Sequence, residues 1–179
     1  MKLALTILMI SLVVLLGCAP APKPGDKDAS PATEEATPVA PAGEVQQAVD
    51  GYVNGEWITN WEDALRYATA LNRPVLVNFT GSDWCGWCIR LRNEVFSQQE
   101  FKDYASANLV LLTLDFPRSL PQSDELIAQN RSLQERFRIE GYPTILLVNS
   151  QGTEINRTGY QQGGAAAYVA HLRGLLARN

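Results

Sequence analysis

The sequence predicts an α/β domain with a central mixed sheet and helices on both faces, and three observations carry that prediction. Short apolar runs rich in β-formers recur at 75–79, 109–114 and 145–148, at strand length and without the alternation of a sheet that has one wet face. Stretches between and around them place apolar residues at helical spacing. Gly141-Tyr142-Pro143-Thr144 and Ser150-Gln151-Gly152 punctuate the pattern where the chain must break or reverse.

Taken in order, Asn60 or Thr59 is placed to cap a helix through Leu71, with Trp61, Ala64, Leu65, Ala68 and Leu71 on its buried face. Pro74 then opens the first central strand, which runs through Asn78 and Phe79. Ile89, Leu91, Val95 and Phe96 follow at helical spacing. Ser97-Gln98-Gln99-Glu100 has the form of a capping box, which predicts that the helix restarts there at an angle. Residues 109–114 read as a strand buried on both faces, ending at Asp115. A loop with Pro117 and Pro121 follows, and Asp124 is placed to cap a helix to about Phe137. Strands at 145–148 and 154–157 flank the tight turn at Gly152, and a helix over 165–176 carries His171, the single histidine. The expected order is α-β-α-β-α-β-β-α, with two parallel connections and one hairpin.

The ends and the composition bound the function. Residues 1–17 carry a lysine followed by an apolar stretch too short to be kept as a span, so they read as a secretory signal. Residues 18–43 are rich in Ala, Pro, Thr and charge, cannot bury a core, and read as a disordered tether able to reach about 80 Å when extended. Residues 44–179 are long enough for one ordinary domain. The formal net charge of −4 leaves no basic stripe, so nucleic acid is not an expected partner.

The chemistry concentrates in Trp84-Cys85-Gly86-Trp87-Cys88. Two thiols at this spacing can close a small disulfide ring and reopen it, whereas bracing disulfides mostly join distant positions. Cys85 falls where a buried strand hands over to a helix, whose unpaired N–H groups favour a thiolate. Cys85 is therefore the candidate nucleophile. Cys88, one turn further on the same face and expected to be more buried, is the candidate resolving thiol. Three other readings stay open. A zinc site wants four ligands, and only His171 and Cys18 remain to be offered. A copper carrier has no second cysteine pair, methionine cluster or nearby histidine. The pair can also be a structural disulfide in a polypeptide-binding module, with Trp84 and Trp87 forming an apolar collar. No metal or organic cofactor is expected. Asp83 is expected to oppose a thiolate on Cys85, and Arg90 and Arg92 to line a solvated face. The loop over 116–123 leaves a central strand at the cysteine edge and is placed to wall a substrate site.

Together, Trp84-Cys85-Gly86-Trp87-Cys88 and Tyr142-Pro143-Thr144, in that order relative to the strands, resemble the thioredoxin superfamily over nearly all of 57–178. Phe79-Thr80-Gly81-Ser82-Asp83 and Glu94-Val95-Phe96-Ser97 are similar to a branch of exported bacterial thioredoxin-like proteins, many of them lipoproteins. The resemblance implies a thioredoxin-like fold, a cis peptide before Pro143, and a substrate main chain aligned by Tyr142 and Pro143 beside Trp84 and Trp87. It also implies a buried acid in the first central strand to handle the resolving thiol's proton; that position is Asn78, which cannot take one near neutral pH. Leu15-Leu16-Gly17-Cys18 resembles the lipobox of bacterial lipoproteins, which would lipidate Cys18, and Ala19 after it points by analogy to the outer membrane. The expected function is a thiol–disulfide oxidoreductase, on balance a reductase, acting on exported protein thiols and disulfides with a separate redox partner, at the periplasmic side of the cell envelope.

Overall fold

The structure is a computed structural model that describes residues 51–178; the expected signal, Cys18, the tether and residues 44–50 lie outside them. Five strands form one sheet: β1 (Trp57–Ile58), β2 (Val75–Thr80), β3 (Val110–Asp115), β4 (Thr144–Val148) and β5 (Glu154–Thr158), in the order β1-β3-β2-β4-β5. Its helices are α1 (Trp61–Leu71), α2 (Gly86–Leu91), α3 (Gln99–Asn108), α4 (Asp124–Arg136) and α5 (Gly164–Leu176). All six residues of β2 are buried, as the lack of alternation in its sequence requires.

The pleat of the strands sorts the core into two layers. Val75, Val77 and Phe79 of β2, with Val110, Leu112 and Leu114 of β3, meet Trp61, Ala64 and Ala68 of α1 and Leu133 of α4. Leu76, Leu111 and Ile145 face the other way, against Leu91, Phe101, Tyr168 and Leu172 from the α2, α3 and α5 side. Helices therefore cover both faces of a mixed sheet, in the thioredoxin-like arrangement.

Several details depart from the sequence reading. β1 is an additional edge strand, pairing Trp57 with Leu111 and Ile58 with Leu112; two residues carry no periodicity to detect. The connection from β3 to β4 is not parallel. Thr144 pairs with Phe79, so β4 enters the sheet at the end where β3 leaves it and runs antiparallel to β2. Helical spacing marks α4 as a helix but does not say to which end of the sheet the chain returns. The two parallel relationships are instead β1 with β3 and β2 with β3.

Capping also differs. Ser97 does not open a capping box: it keeps helical dihedrals and closes a π-helical segment over Arg92–Phe96, donating its N–H to the Arg92 carbonyl at 2.8 Å. Gln98 is the extended residue before α3 and makes no side-chain cap bond. The cap of α4 is Ser123, whose Oγ accepts from Leu126 N at 3.3 Å, so Asp124 is the first helical residue. At α1, Asn60 caps as expected, its Oδ1 accepting from Asp63 N at 2.9 Å. No helix among the described residues is long and apolar enough to cross a membrane.

Candidate active site

β2 delivers the chain to Thr80, and residues 81–84 turn it into α2. Gly81 permits that turn. The carbonyl of Gly81 accepts from Cys85 N at 2.9 Å, and a Cβ at Gly81 would stand 2.5 Å from the Trp84 indole. Cys85 is the N-cap of α2, extended at φ −81° and ψ 104°, and its Sγ accepts from Cys88 N at 3.2 Å. A helical N–H is thus aimed at the sulfur, which favours a thiolate there on reduction. Cys85 and Cys88 are joined by a disulfide, with Cα atoms 5.2 Å apart. The expected difference in burial is absent: the residues are 6% and 5% exposed, because the closed ring draws both sulfurs under the same cover.

Trp84 ties the pair to its surroundings. Its Nε1 donates to the Phe116 carbonyl at 2.8 Å, its ring meets the Tyr142 ring edge-on at 5.8 Å, and the Arg118 guanidinium lies 4.0 Å over it. Trp84 is still 36% exposed, so it belongs to the rim and not to the core. The Trp84–Tyr142 contact also brings the two sequence motifs together, and the Tyr142–Pro143 peptide is cis. The Tyr142 hydroxyl accepts from Gln134 Nε2 at 2.7 Å, and burial pushes its pKa up.

Asp83 has a second engagement besides its charge near Cys85. Its carboxylate is committed to the 116–123 loop, accepting from Arg118 N at 3.0 Å and Ser119 N at 2.7 Å. These main-chain donors, Arg118 first, hold its pKa below the ordinary carboxylate value. Gln122 Nε2 also donates to the Asp115 carbonyl at 3.2 Å, so the loop is tied down along its length, beside the cysteines.

On the other flank Trp87 is 52% exposed and lies 5.2 Å from the Tyr160 ring. Arg90 spans both rings at 5.5 and 5.4 Å and pairs with Glu94 at 2.7 Å. The Tyr160 hydroxyl donates to Glu94 at 2.6 Å, and this bond, with the Arg90 pairing, lowers the Glu94 pKa. Arg90 is exposed as expected, yet it is also stacked. Tyr160 and the Glu94 bond escaped the sequence reading because they join residues 66 positions apart. The loop-clamping role of Asp83 escaped it for the same reason, at a separation of 35.

Asn78, on β2, is 9% exposed, and its Oδ1 has no hydrogen-bonding partner among the described residues. It borders a cavity of about 600 Å³ that also reaches Cys88. His171 is engaged elsewhere, its Nε2 lying 2.9 Å from Thr158 Oγ1. Among the described residues no three His, Cys, Asp or Glu side chains gather as a metal site requires.

Comparison with known proteins agrees with this geometry. The family model of the thioredoxin-like domain matches residues 61–173. The chain is 32% identical over 123 residues to the disulfide bond reductase DsbH of Chlamydia pneumoniae, covering 69% of this chain and 74% of that protein. It is 29% identical to the thioredoxin-related protein DsbJ of the same organism, over 68% of this chain but 37% of the relative. Among solved structures, a DsbH oxidoreductase superposes with a TM-score of 0.66 at 30% identity, covering 78% of this chain and 97% of that one.

Proposed function

This chain belongs to the thioredoxin-like domain family, and we propose that it is a thiol–disulfide oxidoreductase that reduces disulfides of exported proteins from a lipid anchor in the bacterial cell envelope. The observation that carries the chemistry is the Cys85–Cys88 pair at the start of α2, with Cys88 N–H directed at Cys85 Sγ. In the cycle, the Cys85 thiolate attacks one sulfur of a substrate disulfide; the new S–S bond forms as the old one breaks and a substrate thiolate leaves. Cys88 then attacks Cys85 Sγ, the mixed disulfide breaks, and the second substrate thiolate departs. The product is the oxidised pair seen here. An external dithiol redox partner must return two electrons to it.

Tyr142 and Pro143 align the substrate main chain by strand addition, and Trp84 and Trp87 bracket the exchanging sulfur as an apolar rim. The name of the DsbH relative supports the reducing direction. So does the setting of Cys85, where among the described residues the donor hydrogen-bonded to the sulfur is a neutral helix N–H, that of Cys88.

Cys18 of the Leu15-Leu16-Gly17-Cys18 motif is the proposed lipidation site, residues 18–43 the tether, and the outer membrane, facing the periplasm, the proposed location. A reductase reduces a model protein disulfide under dithiothreitol and loses that activity in Cys85→Ser; an unchanged rate in that variant refutes the reading. Labelled fatty acid should enter the wild-type chain and not Cys18→Ala, and equal labelling refutes the anchor.

A further inference from the structure

We propose that Cys88 gives up its proton to water held in the cavity beneath α2, with Asn78 as the residue that positions that water. The inference rests on the exchange cycle above and concerns its second step. The sheet surface under α2 changes character along β2: Leu76 belongs to the core, while Asn78 and Thr80, the next residues on that face, are polar. Register places Asn78 beside Thr113 and Thr80 beside Asp115. Polar side chains therefore stand where Leu76 and Leu111 supply apolar packing further down the same face, and the space above them is not filled. It is the cavity of about 600 Å³, lined on the sheet side by Asn78, Thr80 and Thr113 with Leu111 at its apolar end, near the turn by Ser82, and from α2 by Cys88.

A buried acceptor without a partner costs free energy, and a roomy site with several polar groups is where water enters a protein. Asn78 Oδ1 is such an acceptor, with Thr80, Thr113 and Ser82 hydroxyls bordering the same space. The charged residues that line the cavity are Glu56, Arg92, Lys102 and Asp103; all four are exposed, so they stand on its solvent side. Two further carboxylates stand at this end of the sheet: Asp115 is occupied by Ser82, whose N–H and hydroxyl both donate to it, and Asp83 by the Arg118 and Ser119 amides. No lining carboxylate is buried, so water connected to solvent is the proton acceptor. When Cys88 attacks Cys85 Sγ, the S–H proton passes to this water and out through the solvent side. The Cys88–Cys85 bond forms, and the bond from Cys85 to the substrate sulfur breaks with a thiolate leaving.

The test uses the reduced full chain and dithionitrobenzoate, whose coloured thiolate is released once when Cys85 is capped and once when Cys88 resolves the cap. In the wild type the second release should climb about tenfold per pH unit below the ordinary thiol pKa of about 8.5. Asn78→Asp installs a base, and should flatten that climb and speed the second release at pH 6 by about tenfold or more. Asn78→Leu dries the inner cavity, and should slow the second release by about tenfold while the first changes less than about twofold. Wild-type resolution in Asn78→Leu, or equal losses in both releases, overturns the proposal. Should Asn78→Leu fail to fold, an unchanged pH profile in Asn78→Asp overturns it alone. Absence of any second release from the wild type would instead contradict the exchange cycle itself.

Discussion

The indole N–H of Trp84 is hydrogen-bonded to the main-chain carbonyl of Phe116 at 2.8 Å. The residue that precedes the reactive cysteine is thereby fixed to the loop that leaves β3, and the neighbouring Asp83 holds the next two amides of that loop. The loop and the cysteine motif are thus held as one connected surface.

Closeness at Gly81 makes that surface sensitive to a single methyl group. Gly81→Ala brings a Cβ to 2.5 Å from the indole, so Trp84 or the turn must shift and the Phe116 bond is strained. Overpacking of this kind costs about 1–3 kcal/mol. Chemical denaturation should show a loss in that range with a changed tryptophan spectrum; an unaltered midpoint and spectrum would mean the turn has room that the structure denies.

The Asp83 clamp has a defined pH window. Its folded pKa lies below the ordinary carboxylate value, so its contribution is fully present above that value and is lost as pH falls through the folded pKa. Asp83→Asn should therefore differ from the wild type in thermal midpoint at pH 7 and converge with it in strong acid. A constant difference down to pH 2 would show that the carboxylate charge is not what the loop amides recognise.

Trp87, Arg90, Tyr160 and Glu94 form a connected cluster on the opposite flank. Loss of the Tyr160–Glu94 bond in Tyr160→Phe should raise KM for a protein disulfide two- to fivefold, roughly the worth of one exposed hydrogen bond. The rate with a small aromatic disulfide should stay within about twofold. Equal losses with both substrates would place Tyr160 in the chemistry instead of the rim.

Much of this architecture was legible in the residues themselves. Continuous apolar runs located β2, β3 and β4, and Asn60 marked the start of α1 because a cap is a local bond. The strand-to-helix position of Cys85 followed from composition on either side of it. What stayed hidden depends on contacts between distant residues or on the path of the chain. β1 is too short for a pattern, and the direction of β4 is set by where Thr144 meets Phe79. Ser97 matched a capping box in sequence but kept helical dihedrals at the end of a π-helical segment. Tyr67 is buried in α1 beside Tyr52, which lies outside the helix and stacks on it at 4.9 Å. At the site, the bonds of Asp83 to Arg118 and Ser119 stayed hidden because these partners are 35 and 36 residues away.

The central claim, a reducing dithiol, is tested most directly by the reduction potential of the Cys85–Cys88 pair in the full chain, equilibrated against dithiothreitol and read by thiol labelling. The account predicts a reversible two-electron couple near thioredoxin's, about −270 mV. A value near −120 mV, that of a strong oxidant of thiols, or a pair that does not exchange at all, would contradict it.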